Sequence, residues 1–144
     1  MAKSRMIGMK AHVARLKKLS GPDMVNRVGA ALFAGGEAIQ VEAQRSITAG
    51  AVSGKAHVPS KPGDPPNNDT GYLAAAIVTI KTAPLEVEVS SNAGYASALE
   101  FGTSKIAARP YMAPARDAKR KEVADMVKNT VDDVVRRSKQ SGGE

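Results

Sequence analysis

The chain has 144 residues, no cysteine, no tryptophan, two phenylalanines, three tyrosines and a formal net charge of +7. This length favours one domain over residues 1–144 with a modest aliphatic core, and the lack of cysteine excludes disulfides and cysteine-based metal sites. No apolar stretch approaches the roughly 20 residues of a membrane-spanning helix, and no signal peptide is predicted. We therefore expect no membrane partner, and self-association would help a chain with so few aromatic anchors.

The positive charge is concentrated in a basic N-terminal segment, residues 1–20. This segment has no acidic residue, and its basic residues are Lys3, Arg5, Lys10, Arg15, Lys17 and Lys18. Apolar residues from Met6 to Leu19 recur every three or four positions, which predicts a short amphipathic helix. Such a segment contacts nucleic acid or an acidic protein surface, or it is a solvated arm, and both interpretations stay open.

A second helix is predicted from Pro22 to about residue 47. Pro22 suits a first helical position, and Ser20 or Gly21 can cap the helix. The adjacent pair Gly35-Gly36 weakens a helix by about 1 kcal/mol per glycine relative to alanine. A close neighbour or a bend at this pair would explain why the glycines are tolerated.

Residues 48–70 form the most irregular stretch. Pro59, Pro62, Pro65 and Pro66 follow one another at a spacing that neither a helix nor a central strand tolerates. A loop of this length inside a compact domain is usually functional or mobile. We expect an extended arm that is mobile in the free subunit and lies on a neighbour once assembled; the alternative is a disordered linker.

The sequence Asp69-Thr70-Gly71 follows this arm and has two interpretations. In the first, Asp69 or Thr70 caps a helical turn that begins near Leu73. In the second, the motif resembles that of aspartic proteases, where two carboxylates share a proton, as a symmetric dimer could arrange. Protease motifs follow a hydrophobic strand, whereas prolines and asparagines precede this one, so the protease interpretation is much the weaker.

The remaining elements predict an α+β fold. Alternating β-branched residues in 77–82 and 85–89 predict an antiparallel hairpin, with Leu85, Val87 and Val89 toward the core and the two glutamates between them in solvent. A short helix is predicted before Gly102, and a last helix from Pro114 to about residue 139. We expect long N-terminal and C-terminal helices packed on a small antiparallel sheet, a long Pro-rich arm and a flexible tail at residues 140–144.

Two charged residues lie in unusual positions near the last helix. Glu100 lies in an otherwise apolar run and Arg109 in a loop fixed by proline. A buried or interfacial carboxylate needs a cation, so we predict that they pair, either within the chain or across subunits. Leu99, Phe101 and Tyr111 are expected to anchor this loop in the core. No catalytic residue, metal site or cofactor is predicted, because neither histidine has metal-ligand spacing and no nucleophile or phosphate-binding motif is present.

Four blocks between residues 54 and 115 form an ordered pattern. Residues 54–66 match a Pro-rich S-x-P-G-x-P-P arm, and residues 69–77 match D-T-G-x-L-x-x-S-I with Ala76 in place of serine. Residues 95–103 match Y-A-x-x-x-E-F-G-T, and residues 108–115 match A-R-P-[FY]-[LM]-x-P-A. The set resembles tail-completion (neck) proteins of long-tailed phages, which are similar in role to lambdoid minor tail protein Z and to tail terminators.

The resemblance implies a virion protein that forms a homo-oligomeric ring, a hexamer, at the neck and is assembled in the host cytoplasm. Its partners would be further copies, the neighbouring connector and tail-tube proteins and, transiently, genomic DNA; no enzymatic step is implied. The alternative is a basic nucleic-acid-binding protein.

The residues expected to contact DNA or an acidic partner are the six basic residues at the N-terminus. The residues expected in assembly contacts are Pro59, Pro62, Gly63, Pro65, Pro66, Asp69, Gly71, Glu100, Phe101, Gly102, Arg109, Pro110 and Tyr111.

Overall fold

A computed structural model describes residues 8–49, 57–67 and 69–140. The elements in chain order are α1 (Met9–Leu19), α2 (Pro22–Thr48), α3 (Tyr72–Ala75), β1 (Ile77–Ala83), β2 (Glu86–Ser91), α4 (Ala96–Phe101) and α5 (Met112–Gln140). Two long helices and a two-stranded antiparallel sheet confirm the predicted α+β class. Among the described helices, none is both long and apolar enough to cross a membrane. Lys3, Arg5 and the predicted tail beyond Gln140 lie outside the described residues.

Helix α2 lies between α5 and the hairpin, and glycines make both contacts close. A Cβ atom on Gly35 would lie 2.7 Å from Val123 of α5, and one on Gly36 would lie 2.7 Å from Thr79 of β1. About two helical turns before Gly36, a Cβ on Gly29 would lie 2.5 Å from the carbonyl oxygen of Pro84. The close neighbour predicted at Gly35-Gly36 is therefore confirmed, and it lies on two sides of the helix.

The hairpin pairs β1 with β2 from Ile77↔Ser91 to Ala83↔Glu86, with an irregularity between Lys81 and Ala83. The predicted exposure of the two glutamates is confirmed, and Val87 and Val89 lie over α2. Leu85 was wrongly expected in the core, because it lies in the turn and is 52% exposed. The irregular register shortens the ladder, so the alternation that predicts an inward Leu85 does not extend to it.

The apolar core lies toward the C-terminal end of α2. Its buried members are Ala43, Ile47, Leu73, Ile77, Ala93, Tyr111 and Ala115. They come from α2, α3, β1, the loop after β2 and the beginning of α5, and the half-buried Ala96 and Leu99 of α4 pack against them. Five elements thus meet at this end of the molecule, and their junction fixes the position of α4.

The beginnings of two helices differ from the predictions. The cap of α3 is Gly71 at φ 82°, although Thr70 Oγ1 accepts a hydrogen bond from the Tyr72 N–H at 3.4 Å. The left-handed conformation of Gly71 turns the chain immediately before the helix, which displaces the cap beyond Asp69 and Thr70. Helix α5 begins at Met112, two residues before Pro114, because a proline is tolerated within the first turn, where its N–H is not needed.

Candidate functional site

The first turn of α5 is capped by a side chain from α4. The backbone N–H groups of Tyr111 and Met112 donate to Glu100 Oε2 at 2.8 and 3.0 Å, and that of Ala113 donates to Glu100 Oε1 at 2.8 Å. The next residue, Pro114, has no N–H to satisfy. A carboxylate is also favoured at this position by the helix dipole. One side chain therefore satisfies the helix N-terminus and ties α4 to α5.

The predicted pairing of Glu100 with Arg109 within the chain is wrong, and the alternative, a pairing across subunits, stays a prediction. Glu100 binds the three backbone donors, whereas Arg109 Nε donates to the carbonyl oxygen of Ser60 at 3.2 Å and the Arg109 backbone N–H bonds the Leu99 carbonyl. The carboxylate needs no cation because the helix N-terminus already supplies partial positive charge and hydrogen bonds. Both residues make contacts within their own chain, as in the intrachain alternative but with different partners.

The described part of the Pro-rich stretch, residues 57–67, lies on its own subunit. The Gly63 N–H donates to the Ala108 carbonyl at 2.9 Å, Arg109 holds Ser60, and Pro66 is buried. An arm extended toward a neighbour is thus not seen for these residues. Two hydrogen bonds to the 108–109 loop account for the folded-back path. The rest of that prediction falls on residues 50–56 and Asn68, outside the described residues.

A cavity of about 300 Å³ separates this stretch from α4. Ser60, Pro66, Leu99 and Arg109 line it, together with Asp69, whose carboxylate lies 3.9 Å from His57 Nδ1. Asp69 lies in a loop that leads into the four-residue helix α3. In an aspartic protease the aspartate instead follows a hydrophobic strand. Over the described ranges, no group of three or more His, Cys, Asp or Glu side chains could hold a metal ion.

Tyr111 anchors the loop in the core, as predicted. Its side chain is 1% exposed, and burial raises the pKa of its phenol above the ordinary value, an effect that the neighbouring Ser91 hydroxyl partly offsets and the Glu100 charge reinforces. Neither the Tyr111 hydroxyl nor the Ser91 hydroxyl has a partner at good hydrogen-bond geometry in the part of the chain that is described. The anchor is thus held by packing rather than by its hydroxyl.

Phe101 was wrongly expected in the core, since it is 81% exposed. Ala96 and Leu99 form the core-facing side of α4. At about 100° per residue, position 101 lies about 200° from position 99 and faces the opposite way. The helical period from Leu99 could have identified this. Gly102 ends the helix at φ 74°, as predicted, and a Cβ there would lie 2.9 Å from the Ala108 nitrogen.

The segments next to α4 carry further exposed apolar side chains. Ile106 is exposed in the following loop, and the exposed rings of Tyr72 and Tyr95 contact each other with centroids 6.3 Å apart. Of the proline and glycine candidates, Pro59, Pro62 and Gly63 are exposed, while Pro65, Gly71 and Pro110 are half-buried. The candidate assembly residues therefore lie around one junction, but only some of them reach the surface.

The described basic residues of α1 lie at a different end. Lys10, Lys17 and Lys18 are exposed, and the half-buried Arg15 has its Nε without a hydrogen-bond partner among the described residues. Lys17 and Lys18 line a cleft of about 600 Å³ together with Arg137 of α5. The sequence analysis did not include Arg137 among the basic candidates. The pattern that could have indicated it is that both α1 and α5 carry basic residues in their last turns.

The comparison with protein families identifies the chain. Residues 10–102 match the family described as "Bacteriophage HK97-gp10, putative tail-component", a match that runs from α1 to the glycine that ends α4. No curated protein and no solved structure is significantly similar to the chain. The match covers more than half of the sequence and confirms the resemblance to phage tail and neck proteins. The chain belongs to the HK97-gp10-like family of bacteriophage tail components.

Proposed function

We propose that this protein is a structural ring of the phage neck, which completes or terminates the tail tube and joins it to the head connector. Genomic DNA passes through the ring, and the ring is a hexamer. The observation that carries the proposal is membership of the tail-component family over residues 10–102. Its partners are further copies of itself and the connector and tail-tube proteins, and its location is the virion.

The surface of the subunit supports assembly. Phe101, Val58 and Val41 are large apolar side chains that are each more than half exposed. Exposed apolar groups of this size mark protein contacts when they cluster, and Phe101 lies close along the chain to the exposed Ile106. Within the described residues the sheet has two strands, and one of its faces packs on α2. Contacts with other virion subunits would cover these groups.

The basic cleft favours a contact with DNA inside that ring. Three cationic side chains, those of Lys17, Lys18 and Arg137, lie around one cleft, where Asp23 is the acidic member. The same observation supports the alternative function, a nucleic-acid-binding protein. The two differ in affinity: a ring subunit binds free DNA weakly, and a dedicated binding protein binds it tightly at low salt, with a steep salt dependence.

The test is deletion of the gene in the phage that encodes this chain, followed by complementation. We expect the deletion to yield filled heads and separate tails, and the wild-type protein to restore joined particles that show a ring at the junction in cryo-electron microscopy. Joined, infectious particles without the protein would contradict the proposal. An electrophoretic titration of duplex DNA between 50 and 200 mM salt distinguishes the ring subunit from the alternative. Tight binding at 50 mM salt whose affinity falls about 10³-fold at 200 mM would indicate a dedicated DNA-binding protein.

A further inference from the structure

Two exposed patches of opposite charge lie on different parts of the subunit. The loop patch consists of Phe101, Lys105 and Ile106. The hairpin patch consists of Ile80 and Leu85, which are 45% and 52% exposed, and the exposed Glu88, the cross-strand partner of Ile80. Each patch thus combines apolar side chains with a charge, basic in the loop patch and acidic in the hairpin patch, where the exposed Glu86 adds to that of Glu88.

The hairpin turn, which carries Leu85, and the loop patch lie toward opposite ends of α2. The hairpin turn lies over Gly29 near the beginning of α2, where the Pro84 carbonyl contacts it. Helix α4, which carries Phe101, packs through Leu99 on the cluster that contains Ala43 and Ile47. At 1.5 Å per residue, Gly29 and Ala43 are about 21 Å apart along the axis of α2.

The loop patch is held in one conformation by its own hydrogen bonds. Thr103 Oγ1 accepts from the N–H groups of Lys105 and Ile106 at 3.2 and 3.1 Å, and the Thr103 N–H donates to the Ile106 carbonyl at 2.8 Å. Gly102 turns the chain into this loop with a φ of 74°. A surface loop that is already ordered loses little conformational freedom when it binds a partner.

The charges of both patches are available to a partner. Neither Lys105 nor Glu88 forms an ion pair with another described residue. A closed ring with rotational symmetry needs two different, complementary surfaces on every subunit, because each contact is heterologous. The two patches meet that requirement: opposite charges fix the register, and apolar side chains supply the buried contact.

We propose that the loop patch of one subunit binds the hairpin patch of the next copy around the ring. In this contact Phe101 and Ile106 cover Ile80 and Leu85, and Lys105 pairs with Glu88. This inference rests on the proposed ring function and identifies the surfaces that close the ring. The occupant of each patch is a second copy of this chain.

Charge reversal tests the contact. Lys105→Glu and Glu88→Lys each place like charges together and should lower the yield of rings about tenfold, while the double variant should restore it. The matched control is the same swap on α5, Lys121→Glu with Asp125→Lys, at exposed residues without a described ion pair, and it should change nothing. Ring yield is measured by mass photometry and in complemented particles. Unchanged rings in the single variants, or no restoration in the double variant, would overturn the inference.

Cysteine cross-linking separates this inference from the proposed function. The chain has no native cysteine, so a Lys105→Cys, Glu88→Cys double variant should give a ladder of covalent multimers when oxidised in complemented particles. Each single-cysteine variant should stay monomeric on a denaturing gel. Joined particles with rings but without a ladder would refute the pairing of patches and leave the proposed function intact. Particles that contain no ring would refute the function itself, and the patch pairing with it.

Discussion

The two sides of the molecule are held together in different ways. Along α2, Gly29, Gly35 and Gly36 allow the hairpin and α5 to approach so closely that an added Cβ would clash. At the junction of α4 and α5, one carboxylate satisfies the first turn of a 29-residue helix. The first region depends on the absence of side-chain atoms and the second on three hydrogen bonds. Added volume should therefore disrupt one region, and removed polar atoms the other.

The largest effect is expected from adding volume at α2. Gly36→Val would push methyl groups into Thr79 and Val87, and overpacking of this kind should lower the free energy of unfolding by about 3 kcal/mol. The control is Ala30→Val, an exposed position on the same helix, which should change it by less than about 0.5 kcal/mol. Urea denaturation followed by circular dichroism measures both. Equal losses at the two positions would indicate that the close contact at Gly36 is not a determinant of stability.

The junction should respond to the loss of its carboxylate. Glu100→Ala leaves three N–H groups at the N-terminus of α5 without their acceptor and should cost about 2 kcal/mol of folding stability. Glu100→Gln retains one acceptor oxygen and should lose about half of that, since only the charge and one oxygen acceptor are removed. Thermal melts of the two variants are compared with those of Glu122→Ala on the exposed side of α5. A Glu100→Ala variant as stable as that control would contradict the capping role.

Arg109 should affect one segment rather than the whole fold. Arg109→Ala removes the hydrogen bond to Ser60, so amide exchange in residues 57–67 should accelerate about tenfold, the equivalent of roughly 1.4 kcal/mol. The Gly63 amide, which bonds Ala108 beside it, is the most direct reporter. Arg120→Ala on the exposed face of α5 is the control. If exchange changed equally throughout the domain, Arg109 would be supporting the core rather than this segment.

Phe101 separates folding from assembly. Because its ring is 81% exposed, Phe101→Ala should change the stability of the isolated subunit by less than about 0.5 kcal/mol. A buried phenylalanine, as the sequence predicted, would instead cost about 3–5 kcal/mol. The half-buried Leu99, two residues earlier, provides the contrast, and Leu99→Ala should be clearly destabilising. Melting temperatures of the two variants decide between the burial seen here and the sequence-based expectation.

The sequence predicted the elements whose hydrophobic pattern extends over many residues. It did not predict the contacts that depend on how short elements pack together. The 3.6-residue pattern of α2 and the alternation of the hairpin placed both elements, and Gly35-Gly36 indicated a close neighbour. The partner of Glu100 could not be predicted, since it depends on the position of the α5 N-terminus eleven residues later. Likewise, Lys17 and Arg137 share a cleft only because α1 and α5 pack together.

The smallest effect at neutral pH is expected at Tyr111, where the core and the junction meet. Its hydroxyl is buried without a partner of good geometry in the described residues, so Tyr111→Phe should leave stability at pH 7 nearly unchanged. Alkaline pH should reveal the difference. Burial raises the pKa of the folded Tyr111 phenol above its ordinary value of 10.0, so the folded state retains the proton that the unfolded chain releases.

The raised pKa of Tyr111 determines how stability changes with pH. A raised pKa in the folded state gives stability that is fully present below pH 10 and is lost as the pH rises above it. Wild-type protein should therefore lose stability more steeply than Tyr111→Phe in denaturant titrations between neutral pH and about pH 11. Tyr72→Phe, at an exposed ring, is the matched control and should follow the wild type. Identical alkaline profiles for wild type and Tyr111→Phe would mean that the phenol ionises as readily in the folded protein as in the unfolded chain, and that Tyr111 is reached by solvent.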